Sequence, residues 1–311
     1  MRVLVTGANG YLGRAVVAAL SAAGHEPVAM IRAAAPPIPG AAEVRTADLL
    51  DEPALARALR DIDAVCHLAG LTRARESLSE PLRYFRGNTT ATLTLLEAMS
   101  AAGVPRLVFA STAAIYGTPD RQPMAEDLPD APPHPYARSK LAAELAIEGA
   151  AQSGDLAAVI LRLSNIAGGA DPDPTRLIPR ALAAAAGNSP LPVNGDGTAT
   201  RDYLHVDDAA RAFTAAVDHL STPGVVARYT IGSGHGTSII EVVAAVERVT
   251  GRRVALDHRP PAPEPPVLVV DPSQAIAEMG WKPTRSTIDA IIRDTATESP
   301  HGVRRDRTSG S

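Results

Sequence analysis

The chain runs to 311 residues, enough to bury a large core and to suit one principal domain with a smaller appended lobe. Apolar residues make up 45% and charged residues 21%, which excludes the disordered and fibrous classes, while an aromatic content of 3% leaves the core to Ala, Val, Leu and Ile. The net charge of -4 comes without a basic stripe, and the one arginine-dense stretch, residues 301–307, lies in a polar tail, so nucleic acid is not expected as a partner.

In chain order, residues 2–6 form a short β-branched run with no charged leader ahead of it, and residues 11–23 follow as a helix. The pattern repeats, with strand 28–31 before helix 53–60 and strand 64–68 before helix 82–102. Strand 106–111 then precedes a helix over 135–151, and strand 157–163 closes the series. Continuous apolar strands alternating with helices imply a parallel sheet covered on both faces, an α/β doubly wound dinucleotide-binding fold over residues 1–165. The single cysteine, Cys66, precludes an intrachain disulfide and reads as a small core hydrophobe within strand 64–68.

After Gly168 the texture changes to Asp-Pro-Asp-Pro at 171–174, an Ala-rich helix over 177–186 and Pro/Gly-rich connections through Gly197. Residues 166–298 are read as a smaller, substrate-binding lobe, from which the strand-helix segment 202–219 is expected to return to the first domain. Residues 238–250 are another helix. The stretch RPPAPEPP, 259–266, is a stiff surface or cleft-lining loop, since proline lacks the amide donor and fixes φ. Residues 299–311 are expected to be a loose tail. No apolar run approaches the ~20 residues of a membrane span, so a cytoplasmic protein is expected, with no membrane partner and no metal.

The segment Gly7, Asn9, Gly10, Tyr11, Leu12, Gly13 lies between the first strand and the first helix. Glycines there allow a tight turn and close approach of a pyrophosphate, and the helix start supplies free N–H groups to the anion. At the end of the second strand a carboxylate would suit a ribose 2′-hydroxyl and a cation a 2′-phosphate. The sequence offers Arg32 and neither Asp nor Glu, which favours NADP over NAD. Asp48 and Leu49 are candidates to bracket the adenine, and Leu68, Ala69 and Gly70 end the strand that passes beside the cofactor.

Tyr136 and Lys140 stand four apart, on one helix face a turn apart. Lys282 is the only other lysine, so this spacing is poorly explained by chance. A phenol of pKa near 10 is a weak base at neutral pH, and a fixed ammonium together with an oxidised nicotinamide would stabilise its phenolate. Thr112 can share a hydrogen bond with the same substrate oxygen. Ser111 has the same chemistry, and strand alternation lets only one of the two face the site.

Five ordered segments, VTGANGYLG (5–13), STAAIYG (111–117), Tyr136-x-x-x-Lys140, RDYLHV (201–206) and EMGWKP (278–283), resemble the NAD-dependent epimerase/dehydratase family of extended short-chain dehydrogenases/reductases. The resemblance covers roughly residues 1–296 and is strongest to the epimerases acting at C4 of UDP-sugars. It implies catalytic roles for Thr112, Tyr136 and Lys140, substrate contacts for Asn165 and Arg201, with Arg201 on a diphosphate, and structural roles for His205 and Asp208. Asp202 and Asp207 are alternative ion-pair partners for Arg201. The second diphosphate arginine expected a few residues before Glu264 falls near Pro261, leaving Arg259 or Arg176 to substitute and Glu264 as a further substrate-side candidate. Dehydratases carry Asp-Glu directly after the catalytic threonine, whereas Ala113 and Ala114 stand there, so dehydration is disfavoured. The resemblance also implies a homodimer through the helices around 82–102 and 135–151.

The leading expectation is a nucleotide-sugar 4-epimerase that transiently transfers a hydride to a bound nicotinamide, with a UDP- or dTDP-sugar as substrate. The runner-up is an NADPH-dependent ketoreductase of a keto-sugar nucleotide or other carbonyl compound, for which Arg32 speaks. A non-catalytic dinucleotide sensor is the third class, and the intact Thr112/Tyr136/Lys140 set argues against it.

Overall fold

The computed structural model of the protein describes residues 1–220, 222–262 and 264–298. In chain order its elements begin β1 (Arg2–Thr6), α1 (Tyr11–Ala22), β2 (Glu26–Ile31), β3 (Glu43–Thr46), α2 (Glu52–Ala58), β4 (Ala64–His67), α3 (Ala74–Ser79), α4 (Pro81–Tyr84), α5 (Ala91–Ala102), β5 (Arg106–Thr112) and α6 (Pro135–Ala151). They continue with β6 (Ala157–Leu163), β7 (Asn165–Ala167), α7 (Leu177–Ala185), β8 (Leu191–Asn194), β9 (Thr200–His205), α8 (Val206–His219) and β10 (Val226–Ile231). The last are β11 (Gly236–Ser238), α9 (Ile239–Thr250), β12 (Leu256–Arg259), β13 (Val267–Leu268), α10 (Ser273–Met279) and α11 (Ile288–Glu298).

Among the described residues seven parallel strands form the central sheet, in the order β3-β2-β1-β4-β5-β6-β10. Successive side chains of a strand point to opposite faces, and both faces are covered, so the strands are apolar throughout. Val3, Val5, Cys66 and Val108 enter one core with Val16 and Phe213, whereas Leu4, Val65, Leu107 and Phe109 enter the other with Leu55 and Leu95. Small residues replace the missing aromatics: Ala209, Ala212 and Ala216 of α8 let that helix lie close against Val16, Val17 and Leu20 of α1. The doubly wound α/β fold read from the sequence is the fold observed.

A second, smaller body of structure carries its own core, in which Ile178 and Ala181 of α7 meet Val242 and Val246 of α9 and Ile291 and Ile292 of α11. It holds a four-stranded sheet of β7, β9, β11 and β13 and the β8–β12 pair. The segment expected to return as one unit divides. Its strand, β9, pairs with β7 in the smaller sheet, while its helix, α8, packs on α1. The outer strand of the main sheet is β10, which the sequence left in the second lobe; its Tyr229 and Ile231 are buried opposite Leu161 and Leu163 of β6.

The single helix predicted over 82–102 is interrupted. A π-helical turn, Phe85–Thr90, joins α4 to α5, and its wider backbone carries Asn88 inward. Within the proline-rich stretch, Arg259 ends β12 and the following described residues form a loop; Pro263 and the tail 299–311 lie outside the described residues. No helix among the described residues is long and apolar enough to cross a membrane.

Asp208, on α8, fastens the two bodies together, and His205 ties β9 to α11 within the smaller one. His205 Nε2 meets Asp294 at 2.9 Å, and the fully buried Asp208 accepts from the amides of Thr284 at 3.1 Å and Arg285 at 2.8 Å. Trp281 Nε1 donates to the Asp208 carbonyl at 2.9 Å. Trp281 of EMGWKP thus meets the first turn of the helix into which RDYLHV leads.

Candidate active site

One cleft of about 1180 Å³ runs along the carboxyl ends of the parallel strands and under the smaller body, the usual place for a ligand in an open α/β sheet. Its dinucleotide end is built by the glycine turn. Gly7 has φ +68°, and a Cβ there would lie 2.9 Å from the backbone of Ala69. A Cβ on Gly13 would sit 2.1 Å from the Gly7 carbonyl oxygen, so helix α1 can pack this near to β1 only without one. No side chain caps α1 at Gly10, which leaves its first N–H groups directed at the cleft. These are the requirements of a pyrophosphate cradle, and Asn9, Tyr11 and Leu12 line it as well.

The neighbouring loop is pinned by Thr6. Its Oγ1 accepts from the amides of Leu68 at 3.2 Å and Ala69 at 3.1 Å and lies 2.7 Å from His67 Nδ1. Burial, and then the charge of Lys140, push the His67 pKa down to about 3, so the ring is neutral and serves as a fixed hydrogen-bonding strut. Arg32 is exposed at the end of β2 and lines the cleft with Asp48, Leu49 and Gly70. It has no ion-pair partner among the described residues.

At the far end of β5 the two hydroxyls part. Ser111 Oγ donates to the buried Glu144 carboxylate, whereas the Thr112 hydroxyl lies beside the Tyr136 phenol and works against the upward push that burial gives its pKa. Tyr136 and Lys140 both line the cleft from the first turns of α6. That helix starts at Pro135 and is capped by His134, whose Nδ1 accepts from the Ala137 amide at 3.2 Å and whose ring stacks on Tyr136 at 5.8 Å. Burial lowers the His134 pKa, which keeps the accepting nitrogen unprotonated.

Lys140 is 4% exposed, with Nζ 4.3 Å above the Phe109 ring, and burial pulls its pKa from 10.5 down to about 8 against the opposing pull of Glu144. A Cβ added at Gly70 would lie 3.8 Å from its Nζ, so the ammonium faces the loop beside the dinucleotide end. The cation felt at Tyr136 is Arg176, on the opposite wall.

Two supports of this corner escaped sequence reasoning. Asn88, buried in the π turn, accepts from the Leu71 amide at 2.7 Å and donates to Ser139 Oγ at 2.9 Å, tying α6 to the loop after β4. Behind α6, Glu144 takes Arg162 with both carboxylate oxygens, the shortest contact being 2.7 Å, and Arg162 also pairs with Asp130 at 2.7 Å. The Lys140–Glu144 spacing of four residues was the available signal for the second. The first had none, since the helical period hides a π turn.

The candidate substrate residues separate. Asn165 is exposed to the cleft at the start of β7, and Arg201 lines it too. Arg201 ignores Asp202 and Asp207: its guanidinium donates to the carbonyls of Thr200 and Pro265, each at 2.8 Å, and pairs with Glu264 at 3.2 Å. Asp202 is buried instead against the amides of Ser233 at 2.8 Å and Gly234 at 3.1 Å. Glu264 thus acts on the arginine, not directly in the cleft. Arg259 does not reach the cleft, because β12 pairs with β8 on the outside of the smaller body and its side chain turns to Asp257 at 3.2 Å. Arg176 does reach it, from the start of α7, and stacks over the Tyr11 ring at 5.3 Å. Ala113 and Ala114 line the cleft after Thr112 and offer no acid or base.

A family model described as the NAD dependent epimerase/dehydratase family matches residues 3–232. The UDP-glucose 4-epimerase of Azospirillum brasilense is 39% identical, across 94% of this chain and 90% of its own length. The solved structure of UDP-glucose 4-epimerase from Brucella ovis in complex with NAD superposes with a TM-score of 0.90 at 35% identity, covering 95% of this chain and 97% of that one. The enzyme from Bifidobacterium longum, solved in complex with NAD+ and UDP, gives a TM-score of 0.86 at 30% identity, covering 97% of this chain and all of that one (100%).

Proposed function

The chain belongs to the NAD-dependent epimerase/dehydratase family, and on that premise we propose that it is a nucleotide-sugar 4-epimerase that works through a bound nicotinamide dinucleotide. The observation that carries the reading is the single cleft in which the glycine cradle, the Thr112/Tyr136/Lys140 corner and Arg201 succeed one another. The smaller body, residues 166–298 less its returning helix and strand, is the substrate side.

A nicotinamide dinucleotide held by the Gly7/Gly10/Gly13 cradle and Lys140 would supply a reversible hydride acceptor for C4 of the sugar. Tyr136 takes the proton from O4 as the carbonyl forms and gives it back as the alcohol re-forms, with the Thr112 hydroxyl holding the same oxygen. Lys140 holds the dinucleotide end of the corner. Arg201 grips the diphosphate in place of Glu264, so that the sugar can turn over between the two steps while its anchor stays fixed. With alanine after Thr112, no group stands ready to expel water from the keto sugar. The test is direct: purified protein given UDP-glucose and no reductant should form UDP-galactose, and a net consumption of NADPH with a keto-sugar nucleotide, without epimer formation, would instead establish the reductase.

Arg32 supports NADP as the preferred dinucleotide, because an exposed, unpaired guanidinium suits a 2′-phosphate and nothing acidic follows β2. Arg32→Ala is expected to weaken NADP binding by ~1.5–3 kcal/mol, the range for hydrogen bonds to charged groups, and to leave NAD within a few-fold. Titration of both dinucleotides decides it; tighter NAD than NADP in the unaltered protein would reverse the assignment.

Association as a homodimer is supported by large apolar side chains on the outer faces of neighbouring helices: Leu78 is 67%, Leu82 80% and Leu145 59% exposed. Leu82→Glu combined with Leu145→Glu should convert a dimer to a monomer in sedimentation velocity, and a monomeric unaltered protein would contradict the proposal.

A further inference from the structure

We infer that Arg176 reads an anionic group at C6 of the sugar, so that the substrate is a nucleotide uronic acid and not a neutral hexose. The inference rests on the epimerase reading and extends it to substrate class.

Arg176 stands at the start of α7 with its side chain 39% exposed to the cleft. Its guanidinium is aimed by its neighbours. Nη1 donates to both oxygens of Asp171, each at 3.3 Å, and the group lies over the Tyr11 ring, whose phenol donates in turn to the Gly168 carbonyl. Nε and Nη2 have no protein partner among the described residues, so a planar pair of donors remains for a ligand. Asp171 also lines the cleft, but its side chain is only 2% exposed and its two oxygens are turned to the arginine.

Position along the sugar follows from the two arginines. Tyr136 marks O4; Arg176 lines the same cleft and its charge is felt at the phenol, while the Arg201 guanidinium is engaged with Glu264 and the Pro265 carbonyl. Arg201 therefore belongs to the diphosphate end, at C1, and Arg176 to the reacting end. On a hexopyranose the substituents flanking C4 are the C3 hydroxyl and, through C5, the C6 group. Of these only C6 is commonly oxidised to a carboxylate, and a fork of N–H donors matches a carboxylate better than a hydroxymethyl.

The experiment compares UDP-glucuronic acid with UDP-glucose for the full chain and for Arg176→Gln, which keeps an amide donor for Asp171 and removes the charge. The unaltered protein should epimerise the uronate with the higher kcat/KM. In Arg176→Gln that value should fall roughly 10- to 100-fold, through KM, and the value for UDP-glucose should fall by a clearly smaller factor, through kcat. Calorimetric binding of the same two compounds should show the same contrast. An unaltered protein that binds and epimerises UDP-glucose better than the uronate overturns the inference and leaves the epimerase standing. Equal losses for both compounds assign Arg176 to the diphosphate and overturn it too. Failure to turn over either compound sinks the epimerase reading, and the binding contrast still decides the role of Arg176.

Discussion

Tyr136→Phe is expected to lower epimerisation by roughly 10²- to 10⁴-fold, the usual contribution of a positioned acid-base group, while leaving dinucleotide binding within a few-fold. The phenyl ring keeps its stacking on His134 at 5.8 Å and its edge contact with Tyr84 at 6.4 Å, so the cap of α6 and the cleft wall should survive. What is lost is the one oxygen beside Thr112 that can take a proton from O4. Burial holds the phenol above its ordinary range in the free protein, and the Thr112 hydroxyl and Arg176 pull the other way. Rates of the Phe variant near those of the parent, measured by product formation, would remove Tyr136 from the mechanism.

Lys140→Met should abolish useful turnover and weaken dinucleotide binding, yet make the free protein more stable at pH 7. The lysine is 4% exposed, and its pKa falls from 10.5 to about 8 on folding because burial disfavours the charged form. An unfolded chain therefore takes up this proton first as pH drops from 10.5, and the penalty on the folded state grows until about pH 8, below which it is complete. The displacement from 10.5 to about 8 corresponds to roughly 3 kcal/mol, which an apolar side chain of similar length would recover in large part. Denaturation of apoprotein at pH 7 should show the gain, and the gain should shrink as pH rises from about 8 and vanish only above 10.5, where both states hold a neutral amine. A variant less stable than its parent at pH 7 would show that the contacts of the ammonium outweigh its desolvation.

The dinucleotide half of the site was legible because its requirements are local. Gly7, Gly10 and Gly13 fall where a strand meets a helix, and Tyr136 and Lys140 share a helix face whatever the rest of the chain does. Thr112 was chosen over Ser111, and the buried Glu144 that claims the serine supplies the reason the sequence lacked. The substrate half depends on partners far apart in sequence. Arg176 and Arg259 were equal substitutes on paper, and only the pairing of β12 with β8 turns Arg259 away. Glu264 meets Arg201 across 63 positions, and Asn88 reaches Ser139 across 51, through a π turn that an apolar period cannot distinguish from an ordinary helix. The joint effect of burial and a cross-cleft arginine on Tyr136 likewise has no local signature.

The most direct test of the whole account follows the hydride. UDP-glucose carrying deuterium at C4, or the C4-deuterated uronate, would be incubated with purified protein in the presence of excess unlabelled dinucleotide, and the product and the recovered dinucleotide analysed by mass spectrometry. An epimerase that returns its own hydride without releasing the cofactor keeps the deuterium at C4 of the epimer and leaves the free dinucleotide unlabelled. Deuterium in the free dinucleotide pool, or a C4 epimer that has lost its label, would contradict it.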